Sequence, residues 1–324
     1  MMDNQSVEIS VIIPAYNAEQ TISRAIHSVL TQNIEKTEII VVNDGSSDAT
    51  KTIANDFARR DSRVRVVNQQ NCGLGATRNI GIGLARGKVI ALLDSDDEFV
   101  PGSFVRVLDA FSRADADLVA SDLVVIDENG VSKPSSVLSL KRFPEESVIV
   151  GSETKSMFCN RVLSSFCPTY FYKKDFITKN EIRFPEPGRF LEDIVFMSEI
   201  FSKNPTVACL AGGPTYRYYM RSDSLAHSRD VSKARQAINS ILLTENNLKG
   251  IPEKNKFIIE QLLFAYYLAS NDESLDGGLV RKQIVDEIKN KQLSSILSLQ
   301  LKDIIKTILI LLNARTILRM MYKR

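Results

Sequence analysis

Between residues 7 and 125 the hydrophobic pattern switches repeatedly between two periods, and that rhythm leaves few folds open. Residues 7–13 form a compact apolar run that ends at Pro14. Residues 18–31 then carry Ile22, Ile26, Val29 and Leu30 at helical spacing, with Asn17 and Gln20 placed like a capping box. Residues 38–42 read as a second buried strand, followed by Asp44-Gly45-Ser46-Ser47 and a helix to about Arg60. A third strand over 63–67 leads to a glycine-containing helix over 74–86. A fourth over 88–93 leads to a helix over 101–113 with Pro101 near its first turn, and a fifth covers 117–121. Glu128-Asn129-Gly130 reads as a hairpin turn between 123–126 and 131–132. Strand and helix in alternation specify an α/β fold, a mostly parallel open sheet flanked by helices. Ligands of such sheets bind beyond the carboxyl ends of the strands. Pro14-Ala15-Tyr16-Asn17, Asn43-Asp44-Gly45 and Asp94-Ser95-Asp96-Asp97 all follow strands, so one crevice is expected to hold them.

From about residue 140 the rhythm changes. Residues 152–179 mix aromatic with basic side chains, and from 231 onward the pattern is helical with no further strand signal. The expected division is one α/β unit over 1–230, in two halves (1–125 and 126–230), then a helical extension over 231–324. Within that extension, residues 304–312 are rich in Ile and Leu and have Lys302, Lys306, Arg315, Arg319, Lys323 and Arg324 around them. Such a segment suits an interfacial membrane helix. It equally suits a helix packed on the catalytic unit or on a partner subunit, a second copy of this chain included. No run of 18 apolar residues occurs, and the first residues lack the basic and apolar regions of a signal peptide. The expected location is the cytoplasm, with the inner face of the cell membrane open to the tail. Lys and Arg (41) nearly balance Asp and Glu (39), which argues against a dedicated nucleic-acid binder. Two histidines leave no His-rich metal centre, and Cys72, Cys159, Cys167 and Cys209 lack metal or redox spacing, so they read as free thiols.

The chemistry lies in the clusters. Asp94 and Asp96 stand two apart after an apolar strand, which puts both carboxylates on one side. Two such anions tolerate a diphosphate beside them only with a cation between, and Mg²⁺ or Mn²⁺ takes one or two carboxylates together with phosphate oxygens. Asp96 is the expected metal ligand and Asp94 reaches the ribose; an isolated D-x-D is also a common solvated loop. Asp44 suits a hydrogen bond to base or ribose, although Asp-Gly is also an ordinary turn with Ser46 or Ser47 as helix cap. Tyr16 suits stacking on the base, or is an ordinary half-buried aromatic. Arg78 suits bidentate binding of the diphosphate, or is a surface helix residue. Asp193, after Glu192, suits a general base, or a polar helix start.

Taken together and in order, Val11-Ile12-Ile13-Pro14-Ala15-Tyr16-Asn17, Val42-Asn43-Asp44-Gly45-Ser46, Asn71-x-Gly73-x-Gly75-x-x-Arg78-Asn79-x-Gly81 and Leu93-Asp94-Ser95-Asp96-Asp97 resemble the family 2 glycosyltransferases with the GT-A fold. The likeness is dense over residues 7–100 and resumes at 182–193, where it resembles the acceptor-side segment ending in Glu-Asp, and at 216–224 with Arg221. It implies that Pro14, Tyr16, Asp44, Arg78 and Asp94 hold a nucleotide-diphosphate sugar, a UDP-sugar by preference. It also implies that Asp96 ligates Mg²⁺ or Mn²⁺ and that Arg221 belongs to a segment closing over the diphosphate. Asp193 would then be the base of a single inverting displacement by a glycan or lipid-linked acceptor, in the setting of bacterial surface polysaccharides. The Gln-x-x-Arg-Trp motif of processive members is absent, and the chain has no Trp, so one sugar per encounter is expected.

Two rivals remain. A short-chain-type NAD(P)-dependent oxidoreductase would use the glycines at 75–83 with Tyr170 and Lys174. Its glycine-rich turn, however, belongs after the first strand, not the third. A catalytically inactive sugar-nucleotide-binding protein would keep the fold, but the intact Asp96 and Asp193 argue against it.

Overall fold

A computed structural model describes residues 7–134, 147–186, 190–210, 212–220, 230–291, 293–312 and 321. The first half alternates as its periodicity requires: β1 (Ile9–Ala15), α1 (Ile22–Leu30), β2 (Thr37–Asp44), α2 (Thr50–Arg60), β3 (Val64–Gln69), α3 (Leu74–Leu84) and β4 (Val89–Leu92). Next come β5 (Glu98–Phe99), α4 (Ser103–Ala114), β6 (Leu118–Ala120), and the hairpin β7 (Leu123–Ile126) and β8 (Ser132–Pro134). They are followed by β9 (Val148–Ile149), α5 (Glu153–Cys159), β10 (Tyr170–Lys173), α6 (Lys174–Lys179), α7 (Glu192–Ser202), β11 (Val207–Cys209) and β12 (Tyr216–Tyr219). Only helices follow among the described residues: α8 (Val231–Asn247), α9 (Lys254–Ala269), α10 (Leu275–Lys289), α11 (Leu293–Leu297) and α12 (Leu301–Leu311).

The main sheet has the order β3-β2-β1-β4-β10-β6-β11-β9, and a small one has the order β5-β12-β7-β8. Strands β3, β2, β1 and β4 are parallel, as the alternation requires. Beyond β4 the sheet becomes mixed, because β10 runs antiparallel to both β4 and β6, and β9 to β11, while β6 and β11 keep the direction of β4. The period of two sorts the core. Ile9, Val11 and Ile13 of β1 join α1, α2 and α4 side chains on one face, and Ile12 joins those of α7 to α10 on the other. Pro14 lies inside β1, not at its end. Ile12 accepts from Leu93 of the β4 segment, and Pro14 shares its parity, so the missing N–H falls where β4 has already stopped.

Two local expectations fail for one reason. Asn17 does not cap α1, which begins at Ile22, and Ser46 and Ser47 do not cap α2, which begins at Thr50. Instead the Asn17 side chain accepts from the Ser47 N–H (2.9 Å) and the Ser46 hydroxyl accepts from the Asn17 N–H (3.0 Å). The loops after β1 and β2 are thereby tied to each other.

The glycines of α3 are contact points. A Cβ on Gly81 would stand 2.3 Å from Ile12 Cγ2, and one on Gly75 3.2 Å from Phe184 Cβ. Gly81→Ala is therefore expected to lower stability by ~1–3 kcal/mol through overpacking, more than the roughly 1 kcal/mol of helix propensity it gains. Thermal unfolding reads this directly; an unchanged midpoint would mean that α3 and β1 have room to spare.

Candidate active site

The Asp94–Asp97 segment is a turn rather than the frayed end of a strand: the Asp97 N–H donates to the Asp94 carbonyl at 3.1 Å. Strand alternation therefore does not align Asp94 with Asp96. The turn is held from beneath by β12. The Tyr216 hydroxyl accepts from the Asp94 N–H (3.2 Å) and donates to Asp97 Oδ2 (2.7 Å), while the Tyr219 N–H donates to Asp97 Oδ1 (2.9 Å). Burial first, then the adjacent Asp94 and Asp96, keep the Asp97 pKa well above the carboxylate range. Arg24 of α1 holds the turn from the side, donating to the Asp96 carbonyl at 2.5 Å and pairing with Glu98 at 3.2 Å. Sequence reasoning missed Asp97, Tyr216 and Arg24 as supports. Tyr216 and Asp97 are 119 residues apart, and no local pattern links them.

Arg78 is the hub. It is 1% exposed, the largest of the wholly buried side chains. Nη2 donates to Asp94 Oδ1 at 2.8 Å and Nη1 to Asp193 Oδ1 at 2.6 Å, with Glu192 Oε1 3.7 Å from Nη1. The guanidinium lies 5.1 Å over the Phe184 ring, which itself stacks on Phe196. Asn79, the next residue, both donates to and accepts from the Phe184 backbone (3.0 and 2.9 Å), so α3 is zipped to the segment before α7. Arg78 and Asp94 thus meet, and Asp193 joins them from 115 residues away.

Asp193 and Glu192 form the first turn of α7, where the unpaired N–H groups favour acidic side chains. The preceding Leu191 has φ 68°, a left-handed conformation unfavourable for a branched side chain. Such strain clusters where geometry serves a function. Burial raises the Asp193 pKa, Arg78 opposes that, and Asp94 adds to it, while the buried Cys167 thiol acts in the lowering direction. Glu192 is pushed up to about 7, by burial first and by Asp193 next.

At the other end of the crevice Tyr16 is 54% exposed. Asp44 is buried, its Oδ1 accepting from the Cys72 N–H (2.9 Å) and Gln69 Nε2 (2.7 Å) and its Oδ2 from the Gly73 N–H (3.0 Å). It therefore shapes the loop entering α3. Arg221 lies outside the described residues. Among the described residues no group of three or more His, Cys, Asp or Glu is assembled for a metal. The half-exposed Asp96 beside Asp94 nevertheless offers the oxygen donors that Mg²⁺ or Mn²⁺ accepts, when phosphate and water complete the shell. The oxidoreductase reading fails on Tyr170. Its hydroxyl is buried in β10 and donates to the Ser164 carbonyl at 2.9 Å.

A parallel α/β half whose strand ends carry Tyr16, Asp44 and the acidic turn, joined to a mixed half that returns a carboxylate to the same arginine, is the GT-A architecture. The Glycosyl transferase family 2 model matches residues 10–179. The chain is 32% identical over 222 residues to the uncharacterized glycosyltransferase EpsJ of Bacillus subtilis, covering 67% of this chain and 62% of EpsJ. It is 30% identical to the succinoglycan biosynthesis protein ExoO of Rhizobium meliloti, covering 76% of this chain and 71% of ExoO. The crystal structure of S. aureus TarS 1-349 in complex with UDP-GlcNAc superposes with a TM-score of 0.71 at 19% identity, covering 96% of this chain and 90% of that one. The chain belongs to glycosyltransferase family 2.

Proposed function

We propose that this protein transfers a sugar from a nucleotide-diphosphate donor, with UDP as the nucleotide, to a hydroxyl of a glycan or lipid-linked acceptor in surface-polysaccharide synthesis. Residues 1–230 form the transferase unit and residues 231–324 its helical extension. The observation that carries this reading is the buried guanidinium of Arg78, joined to both Asp94 and Asp193. In this reading Asp94 is the donor-side carboxylate and Asp193 the acceptor-side carboxylate of one crevice. Family membership, the succinoglycan relative and the UDP-GlcNAc complex of the structural neighbour support the donor class and the setting.

In this reading Tyr16 stacks on the base, Asp44 and Pro14 shape its pocket, and Asp94 binds the donor. Asp193 removes the proton of the acceptor hydroxyl as its oxygen attacks the anomeric carbon. The new C–O bond forms opposite the breaking bond to the diphosphate, which gives inversion. Asp96 would hold Mg²⁺ or Mn²⁺, which when bound supplies Lewis-acid stabilisation of the departing nucleoside diphosphate. Arg221 adds positive charge from the segment after β12.

Metal dependence is testable without the acceptor. UDP is expected to raise the melting temperature only with Mn²⁺ or Mg²⁺ present, and a panel of nucleotide sugars should yield metal-dependent release of nucleoside diphosphate from one donor. Equal stabilisation by UDP in EDTA would remove the metal from this reading. Stabilisation by NADP⁺ alone would remove the reading itself.

A further inference from the structure

We propose that α12 and its lysine border seat the protein on an anionic membrane surface. Among the described residues no helix is long and apolar enough to cross a membrane, so the contact is peripheral. Helix α12 packs on α9, α10 and α11 through its buried Thr307 and Ile310. Its opposite side is apolar too. Leu301 (73% exposed), Ile305 (42%), Ile308 (47%) and Leu312 (72%) recur at spacings of four, three and four, and so form one stripe facing outward. Leu297, 64% exposed, extends it into α11. A helix with apolar residues on its buried side and on its outer side needs a second covering.

Charge identifies the cover. Residues 301–324 hold six basic residues and one acidic, whereas the whole chain has a net charge of only +2. The rest of the chain therefore carries more acidic than basic residues, and the positive excess falls in the sequence segment that begins with α12. Lys302 and Lys306 stand on one border of the stripe and line a cleft of about 410 Å³ between α9 and α12, which Arg161, Tyr267 and Gln300 also line. Lys306 and Arg161 are partly balanced by Asp303 (3.4 Å) and Glu260 (2.6 Å), and Lys302 has no ion-pair partner among the described residues. A second copy of the chain would bring two basic tails together; a sheet of anionic headgroups would neutralise them. Apolar side chains entering the acyl boundary while lysines reach lipid phosphates is the chemistry of interfacial helices.

The inference stands apart from glycosyl transfer, so the two can fail separately. The full chain would be sedimented with vesicles of phosphatidylcholine alone and with vesicles of equimolar phosphatidylethanolamine and phosphatidylglycerol. The wild type is expected to sediment with the second and far less with the first. Leu301→Ser with Ile308→Ser, and separately Lys302→Glu with Lys306→Glu, should each weaken binding by roughly tenfold or more. Unchanged thermal melting and UDP-dependent stabilisation would establish that the variants remain folded. Equal sedimentation of wild type and both variants would overturn the proposal, as would no binding to anionic vesicles. So would a dimer in light scattering that the Leu301→Ser, Ile308→Ser variant turns into a monomer.

Discussion

Asp193→Asn is expected to abolish most transfer while leaving donor binding intact. The asparagine carbonyl can still accept the Arg78 hydrogen bond now made at 2.6 Å, so the crevice keeps its shape. What the amide cannot do is take a proton at the moment the acceptor hydroxyl attacks. Loss of a positioned general base costs about 10²–10⁴-fold in rate. The nucleotide-dependent rise in melting temperature should survive, because none of the nucleotide contacts proposed above runs through Asp193. The pH profile adds a second readout. Burial sets the Asp193 pKa above that of an ordinary aspartate, and only the ionised form accepts a proton. Transfer by the wild type should therefore fall, as pH drops, at a higher pH than a solvated aspartate would give. Glu192, pushed up to about 7, is the competing base. If Asp193→Asn keeps full transfer and Glu192→Gln loses it, the base is Glu192 and the roles exchange.

The first half of the fold was legible because β1, β2 and β4 are buried on both faces and read as largely apolar runs, while α1 shows its stripe at Ile22, Ile26 and Val29. The binding clusters were legible because polar residues gather directly after the apolar stretches of those strands. What escaped was set by contacts between distant residues. Nothing near Asn17 tells whether its side chain caps its own helix or reaches Ser47. Nothing near Asp97 points to Tyr216, and the aromatic run at 216–219 read as part of a cover for the diphosphate. In the structure its first hydroxyl is a buried prop under the acidic turn. The antiparallel β10 was equally hidden, since a four-residue strand, Tyr-Phe-Tyr-Lys, has the same composition in either direction. The position of Arg78 was legible and its surroundings were not. A guanidinium in the glycine-rich segment at 73–79 suggested a ligand for phosphate, and only the chain's return at Asp193 shows that both of its terminal nitrogens are engaged.

That difference gives the second large effect. Arg78→Met is expected to lower stability by ~3–5 kcal/mol, because it removes the cation between Asp94, Glu192 and Asp193 and leaves partly buried carboxylates facing one another. Each of the three side chains is 17–23% exposed, so water relieves some of the repulsion and the lower end of that range is the expectation. Arg78→Lys separates the two roles open to this residue. A lysine ammonium is one point charge and cannot donate to both Asp94 and Asp193 along the directions a guanidinium fork allows. If Arg78 holds the two carboxylates in register, a lysine that keeps its pairing with Asp94 and releases Asp193 should bind donor with nearly the wild-type KM and lose kcat, since Asp193 is no longer aimed at the acceptor. If Arg78 instead grips the diphosphate, lysine would still pair with phosphate, and the loss should appear in the KM for the donor. The buried geometry favours the first outcome: with 1% of the residue exposed, a phosphate could replace Asp94 or Asp193 at the guanidinium only by displacing the carboxylates that now enclose it.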